Sequence, residues 1–185
     1  MRVAIEGASG YSGIELTKLL SRHPGVELVG VASGRWAGDT VRDRTGLPGP
    51  GGELAYRKSL LEADLEVEAV LCATPADASK SLIPQWVERG VKVVDLSNAY
   101  REAACQPDSP WVYGLCEHDR ERIRASRLIA NPGCYPTATQ NALLPLIAAG
   151  LLGEGPLVID AKSGVTGAGR STAEHLLYNE MGDNH

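Results

Sequence analysis

Cys134 lies in the run Asn131-Pro132-Gly133-Cys134-Tyr135-Pro136-Thr137, which follows a short apolar stretch and precedes a longer one. Residues 126–130 read as a buried strand, and the Asn-Pro-Gly turn stops it. Residues 137–149 carry apolar side chains at Ala138, Ala142, Leu143, Leu146 and Ile147, the pattern of a helix. Cys134 is therefore expected at or just before a first helical turn. The unpaired N–H groups and dipole there favour a thiolate over a thiol, and a thiolate is a nucleophile near neutral pH. The alternative is a small apolar side chain filling a gap between helix and sheet.

A second group of residues points to nucleotide chemistry. Gly7-Ala8-Ser9-Gly10-Tyr11-Ser12-Gly13 joins an apolar stretch to an amphipathic one with the spacing G-x-x-G-x-x-G. Between a strand and a helix, such glycines let the backbone approach a pyrophosphate, and the helix start supplies N–H donors. Gly7, Ser9, Gly10, Tyr11, Ser12 and Gly13 are the expected cofactor loop, against a merely tight turn. The next strand ends Ala32-Ser33-Gly34-Arg35. It lacks the acid that binds the ribose hydroxyls of NAD, and Ser33 and Arg35 suit a 2′-phosphate, so the expected cofactor is NADP(H). Arg35 as a solvated loop cation is the plainer reading.

Further loops fall where strands end, the place at which ligands collect in parallel sheets. Thr74 should lie along the cofactor. Ser97 and Arg101, in Asp95-Leu96-Ser97-Asn98-Ala99-Tyr100-Arg101, are expected at the substrate, where Arg101 can clamp an anion bidentately. An arginine in a loop is otherwise a surface residue.

The elements that must position these residues alternate. Strands are expected over 2–6, 26–32, 69–73, 91–96 and 127–130, and helices over 11–21 and 76–88, with a helical turn over 119–124. Residues 34–52 read as a long Gly/Pro-rich loop and 98–117 as irregular. This order predicts an α/β fold: a Rossmann-type parallel sheet with helices on both faces. After the Cys134 helix one more strand is expected over 157–161 and a helical stretch over 171–178. The expected division is an NADP-binding domain over 1–131 and, over 132–185, the incomplete beginning of an α+β catalytic and dimerisation domain.

Composition narrows the function. The 185 residues suffice for a buried core. A formal net charge of −5 and the lack of a basic run argue against a nucleic-acid surface. The four cysteines, at 72, 105, 116 and 134, have no metal spacing. No disulfide framework is expected, which suggests a reducing, cytoplasmic compartment. The first strand begins at the N-terminus, leaving no room for a signal peptide, and no apolar run is long enough to cross a membrane.

The glycine loop, the 95–101 segment, the Cys134 turn and Lys162-Ser163-Gly164-Val165-Thr166-Gly167-Ala168-Gly169-Arg170, in this order, resemble the N-acetyl-gamma-glutamyl-phosphate reductases. These belong to the wider aspartate-semialdehyde dehydrogenase group. The resemblance covers the whole chain and is most specific in NPGCYPTA and AKSGVTGAGR. It implies NADPH-dependent reduction of N-acetyl-glutamyl 5-phosphate, an acyl phosphate, to the 5-semialdehyde and phosphate in arginine biosynthesis. It implies Cys134 as nucleophile through a thioester, Arg101 at the substrate phosphate, and Ser163 and Gly164 near the nicotinamide. Asn98 departs from the family pattern before its arginine. The family also continues well beyond this length, through an acid–base histidine that none of the histidines at 23, 118, 175 and 185 matches. An N-terminal fragment, inactive by itself, of a homo-oligomeric enzyme is the resulting expectation. Two other readings stay open: the homologous reductase of N-acetyl-aminoadipyl phosphate in lysine biosynthesis, and a nucleotide-binding module without catalysis.

Overall fold

The strands are short and apolar on both sides, as a parallel sheet covered on both faces requires. The structure, a computed structural model, describes residues 1–170. Its strands are β1 (Arg2–Glu6), β2 (Glu27–Ala32), β3 (Tyr56–Arg57), β4 (Ala69–Cys72), β5 (Lys92–Asp95), β6 (Trp111–Tyr113) and β7 (Leu128–Ala130). They form one sheet in the order β3-β2-β1-β4-β5-β7-β6, with every pair parallel. The helices are α1 (Tyr11–Leu20), α2 (Val41–Thr45), α3 (Ala76–Glu88), α4 (Arg101–Ala104), α5 (Arg120–Ala125) and α6 (Cys134–Ala148).

Successive strand residues point to opposite faces, and the core divides accordingly. Ala4, Ala32, Val70, Cys72 and Val93 pack on one side with Ile83 and Trp86 of α3. Ile5 and Val31 pack on the other with Val41 and Tyr56, against Ile14, Leu16 and Leu20 of α1. Helices thus cover both faces, and the Rossmann-type expectation holds.

Pairing register fixes where the loops emerge. Glu6 pairs with Cys72, Cys72 with Asp95, Asp95 with Ala130, and Ala130 with Tyr113. The carboxyl ends of five strands therefore lie on one row. The chain leaves β1 toward β2 and β3 on one side and returns at β4 on the other. Ligands bind outside the strand ends at such a reversal.

Several elements differ from those expected. The stretch 34–52 is not a featureless loop. Thr40 accepts from the Asp43 N–H at 3.1 Å, the Asp43 carboxylate accepts from the Thr40 N–H at 3.3 Å, and this capping box starts α2. Gly46, at φ 70°, ends it in the left-handed conformation. A 3-10 turn at Pro50–Glu53 follows and leads to β3. Likewise 98–117 contains α4 and β6, two elements too short to show a period. Residues 157–161 are not a strand: the segment is exposed, Val158 at 91%, and pairs with no strand among the described residues. The segment adds to neither edge of the sheet, β3 or β6, and an apolar run without a ladder partner has no reason to extend as a strand. The helix expected over 171–178 lies outside the described residues.

Candidate active site

Each strand end on the common row is followed by a residue that borders one groove: Gly7, Ala73, Leu96, Asn131 and Gly114. The groove has a volume of about 1240 Å³, larger than a typical small-molecule pocket and in keeping with a dinucleotide plus a second substrate.

The glycine loop forms one wall, with Gly7, Ser9, Gly10, Tyr11 and Ser12 facing the groove. Gly7 adopts φ 78°, and a Cβ there would come within 2.4 Å of the Ala73 carbonyl oxygen. A Cβ on Gly13 would meet the Gly7 carbonyl oxygen at 2.4 Å, so Gly13 seats α1 on the loop and does not itself line the groove. A Cβ on Gly10 would have its nearest neighbour at 3.5 Å, an ordinary contact. Protein packing thus leaves room for a side chain at Gly10, and its absence opens the groove. The α1 N-cap has no side-chain hydrogen bond, so the first-turn N–H groups are available to an anion. This cradle fits the pyrophosphate of a dinucleotide.

Arg35 and Thr74 also line the groove. Thr74 is oriented by a 2.8 Å hydrogen bond between its hydroxyl and that of Ser79. Ser33 is buried instead. Its hydroxyl accepts the Trp36 N–H at 3.2 Å, and its own N–H donates to the Arg57 carbonyl at 2.8 Å, so it shapes the turn that presents Arg35.

Cys134 is the first residue of α6 and is exposed to the groove. The helix is preceded by Gly133, in extended conformation, and its start has no side-chain cap. The Thr137 N–H and hydroxyl both bond the Gly133 carbonyl, at 3.0 and 2.8 Å. Pro136, third in the helix, has no N–H to satisfy. The N–H groups of Cys134 and Tyr135 therefore remain as donors beside the sulfur, the arrangement that an oxyanion needs.

Arg101 lines the same groove and is held by backbone. Its Nε donates to the Asn131 carbonyl at 2.8 Å and its Nη2 to the Leu96 carbonyl at 2.9 Å. A Cβ on Gly133 would approach Nη1 to 3.1 Å. Ser97 does not reach the groove. Its hydroxyl donates to Asp95 at 2.8 Å and accepts from the Ala99 N–H at 3.0 Å, which fixes the loop that leads to Arg101. Ser163 and Gly164 are exposed and also lie off the groove, which is lined by the adjoining Thr166, Gly167, Gly169 and Arg170.

Beneath the groove, Glu6, Cys72 and Asp95 form a buried row across three strands. Burial pushes the Cys72 thiol well above its ordinary range, and the charges of Glu6 and Asp95 add to this. It is a core thiol, as its apolar strand predicts. Burial likewise raises the Glu6 carboxyl, opposed by the Leu60 N–H that it accepts at 3.3 Å. Asp95 accepts from the Ser97 N–H at 3.1 Å.

Sequence reasoning did not single out Gly114–Glu117 or Arg170 as bordering the groove. The first follows β6, and an unseen strand hides the loop at its end. Arg170 stood in a recognised motif, but nothing in the spacing shows that it folds back to α1. Among the described residues no group of three or more His, Cys, Asp or Glu is placed to hold a metal, and no helix is long and apolar enough to cross a membrane.

Residues 2–126 match the family described as "Semialdehyde dehydrogenase, NAD binding domain". The chain belongs to the semialdehyde dehydrogenase family. Its cofactor is thus a nicotinamide nucleotide, and the groove at the strand ends is where the fold receives one. Residues 134–185 match "Semialdehyde dehydrogenase, dimerisation domain", so the nucleotide-binding domain is followed by the start of a dimerisation domain. Among curated relatives, N-acetyl-gamma-glutamyl-phosphate reductase of Thiobacillus denitrificans is 43% identical over 201 residues, covering 100% of this chain and 58% of that protein. The protein of the same name from Magnetococcus marinus is 39% identical, covering 99% of this chain and 57% of its own length. The chain thus spans somewhat over half the length of these relatives. Aspartate semialdehyde dehydrogenase II of Vibrio cholerae superposes with a TM-score of 0.63 at 25% identity, over 80% of this chain and 46% of that one. The Candida albicans aspartate semialdehyde dehydrogenase, solved with NADP, shares the fold at a TM-score of 0.61 and 18% identity, over 82% of this chain and 48% of that one.

Proposed function

We propose that this chain supplies the nucleotide site and the nucleophile of an NADPH-dependent reductase that converts N-acetyl-glutamyl 5-phosphate to the 5-semialdehyde and phosphate, in arginine biosynthesis. The observation that carries this reading is the meeting of three groups on one groove: an uncapped glycine-loop helix start, Arg101, and Cys134 at the start of α6. The names of the relatives support the same substrate.

The Cys134 sulfur attacks the acyl carbon, the carbon–oxygen bond to phosphate breaks, and phosphate leaves with the electron pair as the thioester forms. The Cys134 and Tyr135 N–H groups face the oxygen that becomes negative in that step. Arg101 presents its cationic edge to the departing phosphate. When bound, NADPH supplies the hydride that reduces the acyl group to aldehyde and frees the thiol. Gly7, Gly10 and the start of α1 would hold its pyrophosphate, Thr74 its length along β4, and Arg35 its 2′-phosphate, since no acid follows β2.

Residues 1–131 form the NADP-binding domain and 132–185 the incomplete beginning of the catalytic and dimerisation domain of a homo-oligomer. The four free thiols fit a reducing, cytoplasmic setting. Alone, the 185-residue chain is expected to be inactive in reductase turnover: α6 has no buried residue and 151–164 lies open, so water reaches the site and the acylated intermediate is poorly held for reduction.

The test is pre-steady-state phosphate release from N-acetyl-glutamyl 5-phosphate and from its aminoadipyl homologue, with Cys134→Ser as control. One phosphate per chain, faster from the glutamyl compound and absent in the variant, is expected. Faster release from the longer acyl phosphate would move the enzyme to lysine biosynthesis, and no burst from either would leave a nucleotide-binding module.

A further inference from the structure

Besides Arg101, the groove carries two guanidinium groups from distant parts of the chain. Arg35 follows β2, and Arg170 follows the 3-10 turn Val165–Ala168. The Arg170 guanidinium carbon lies 4.8 Å from the ring centroid of Tyr11, the first residue of α1, and 5.2 Å from that of Trp36, the neighbour of Arg35. Arg170 thus reaches from the helix start that fits a pyrophosphate to the loop that ends β2.

Arg44 also approaches Trp36, at 5.7 Å, but it is ion-paired with Asp39. Neither Arg35 nor Arg170 has a carboxylate within 4.0 Å among the described residues. Two guanidinium groups of one groove that hold no ion pair among the described residues are available to an anion. The Arg170 guanidinium lies over the rings of Tyr11 and Trp36, a cation–π contact with both. A guanidinium matches phosphate oxygens bidentately.

We propose that Arg170 is a second ligand of the NADP 2′-phosphate, acting with Arg35, and that bound nucleotide thereby helps to hold the 165–170 segment against the nucleotide domain. This rests on the reading of the chain as an NADP site and adds to it a residue from beyond α6. NAD, which lacks the 2′-phosphate, gains nothing from Arg170.

The test uses this chain and equilibrium binding of four probes: NADPH, NADH, adenosine 2′,5′-bisphosphate and 5′-AMP. Arg170→Ala is expected to weaken NADPH and the bisphosphate about tenfold or more, and NADH and 5′-AMP less than about twofold. Arg170→Lys should recover part of the loss, and both variants should melt with the starting protein because Arg170 is exposed. Equal losses for NADPH and NADH would mean a pyrophosphate contact and overturn the proposal. So would no loss in Arg170→Ala while Arg35→Ala still narrows the NADPH preference, a result that leaves the NADP reading standing. A starting protein that binds NADH as tightly as NADPH would overturn both.

Discussion

The Nε of Arg101 donates to the carbonyl oxygen of Asn131 at 2.8 Å, across a gap of 30 residues in sequence. With the second bond to Leu96 at 2.9 Å, one guanidinium joins the loop after β5 to the turn that sets Cys134 at the head of α6. Arg101 therefore orients the nucleophile's turn as well as offering charge to a phosphate. Lysine keeps the charge but cannot span two carbonyls from one planar group. Arg101→Lys is expected to slow Cys134 acylation by about 10- to 100-fold, the scale of a misplaced reacting group. Its NADPH affinity should stay within about twofold of the starting protein. Stopped-flow phosphate release and nucleotide titration check the two halves separately, and an unchanged acylation rate would mean that the bridge does not position the thiol.

Glu6 gives the fold a pH dependence. Burial raises its carboxyl from the ordinary 4.5, so the folded chain keeps the proton to higher pH than the unfolded chain. Its contribution to stability is complete below about 4.5 and is lost as pH rises through the folded value. Glu6→Gln keeps the acceptor oxygen for the Leu60 N–H and removes the titration. Melting temperatures from pH 4 upward should show the variant gaining on the starting protein as pH increases. A constant difference would show that Glu6 titrates alike in both states.

The three exposed thiols should react in a definite order. Cys105 donates its S–H to the Arg101 carbonyl at 3.3 Å and Cys116 to that of Gly114 at 3.7 Å, whereas Cys134 opens a helix. Limited iodoacetamide labelling, read by peptide mass spectrometry, is expected to modify Cys134 first and Cys72 last. Prior labelling at Cys116, which shares the groove, would move the nucleophile there.

Much of this was legible in the sequence because local signals agreed with the global fold. The glycine loop, the strand-and-helix alternation and the position of Cys134 all depend on near neighbours in the chain. Elements of two to five residues, such as β3, α2, α4 and β6, were lost because they are shorter than any period, although Thr40 and Asp43 did carry a capping signature. The false strand at 157–161 shows the opposite failure: Leu157, Val158 and Ile159 suit a strand, but a strand also needs a ladder partner, and this segment has none among the described residues. Ser33 and Ser97 were expected at the ligand and instead hold the turns that aim Arg35 and Arg101. Hydroxyl chemistry alone does not distinguish those uses, and only the three-dimensional partners do.

If the proposed function holds, Cys134 becomes acylated by an acyl phosphate. Incubating the 185-residue chain with N-acetyl-glutamyl 5-phosphate, quenching in acid and mapping peptides by mass spectrometry tests it directly. One acyl group per chain is expected, on the peptide that contains Cys134, with phosphate released in equal amount and no steady NADPH oxidation afterwards. Acyl transfer to another residue would rule out Cys134 as the nucleophile, as would unmodified Cys134 beside bound NADPH, and continued turnover at about 1 s⁻¹ or faster, a rate within the ordinary enzyme range, would show that the chain completes the reaction by itself.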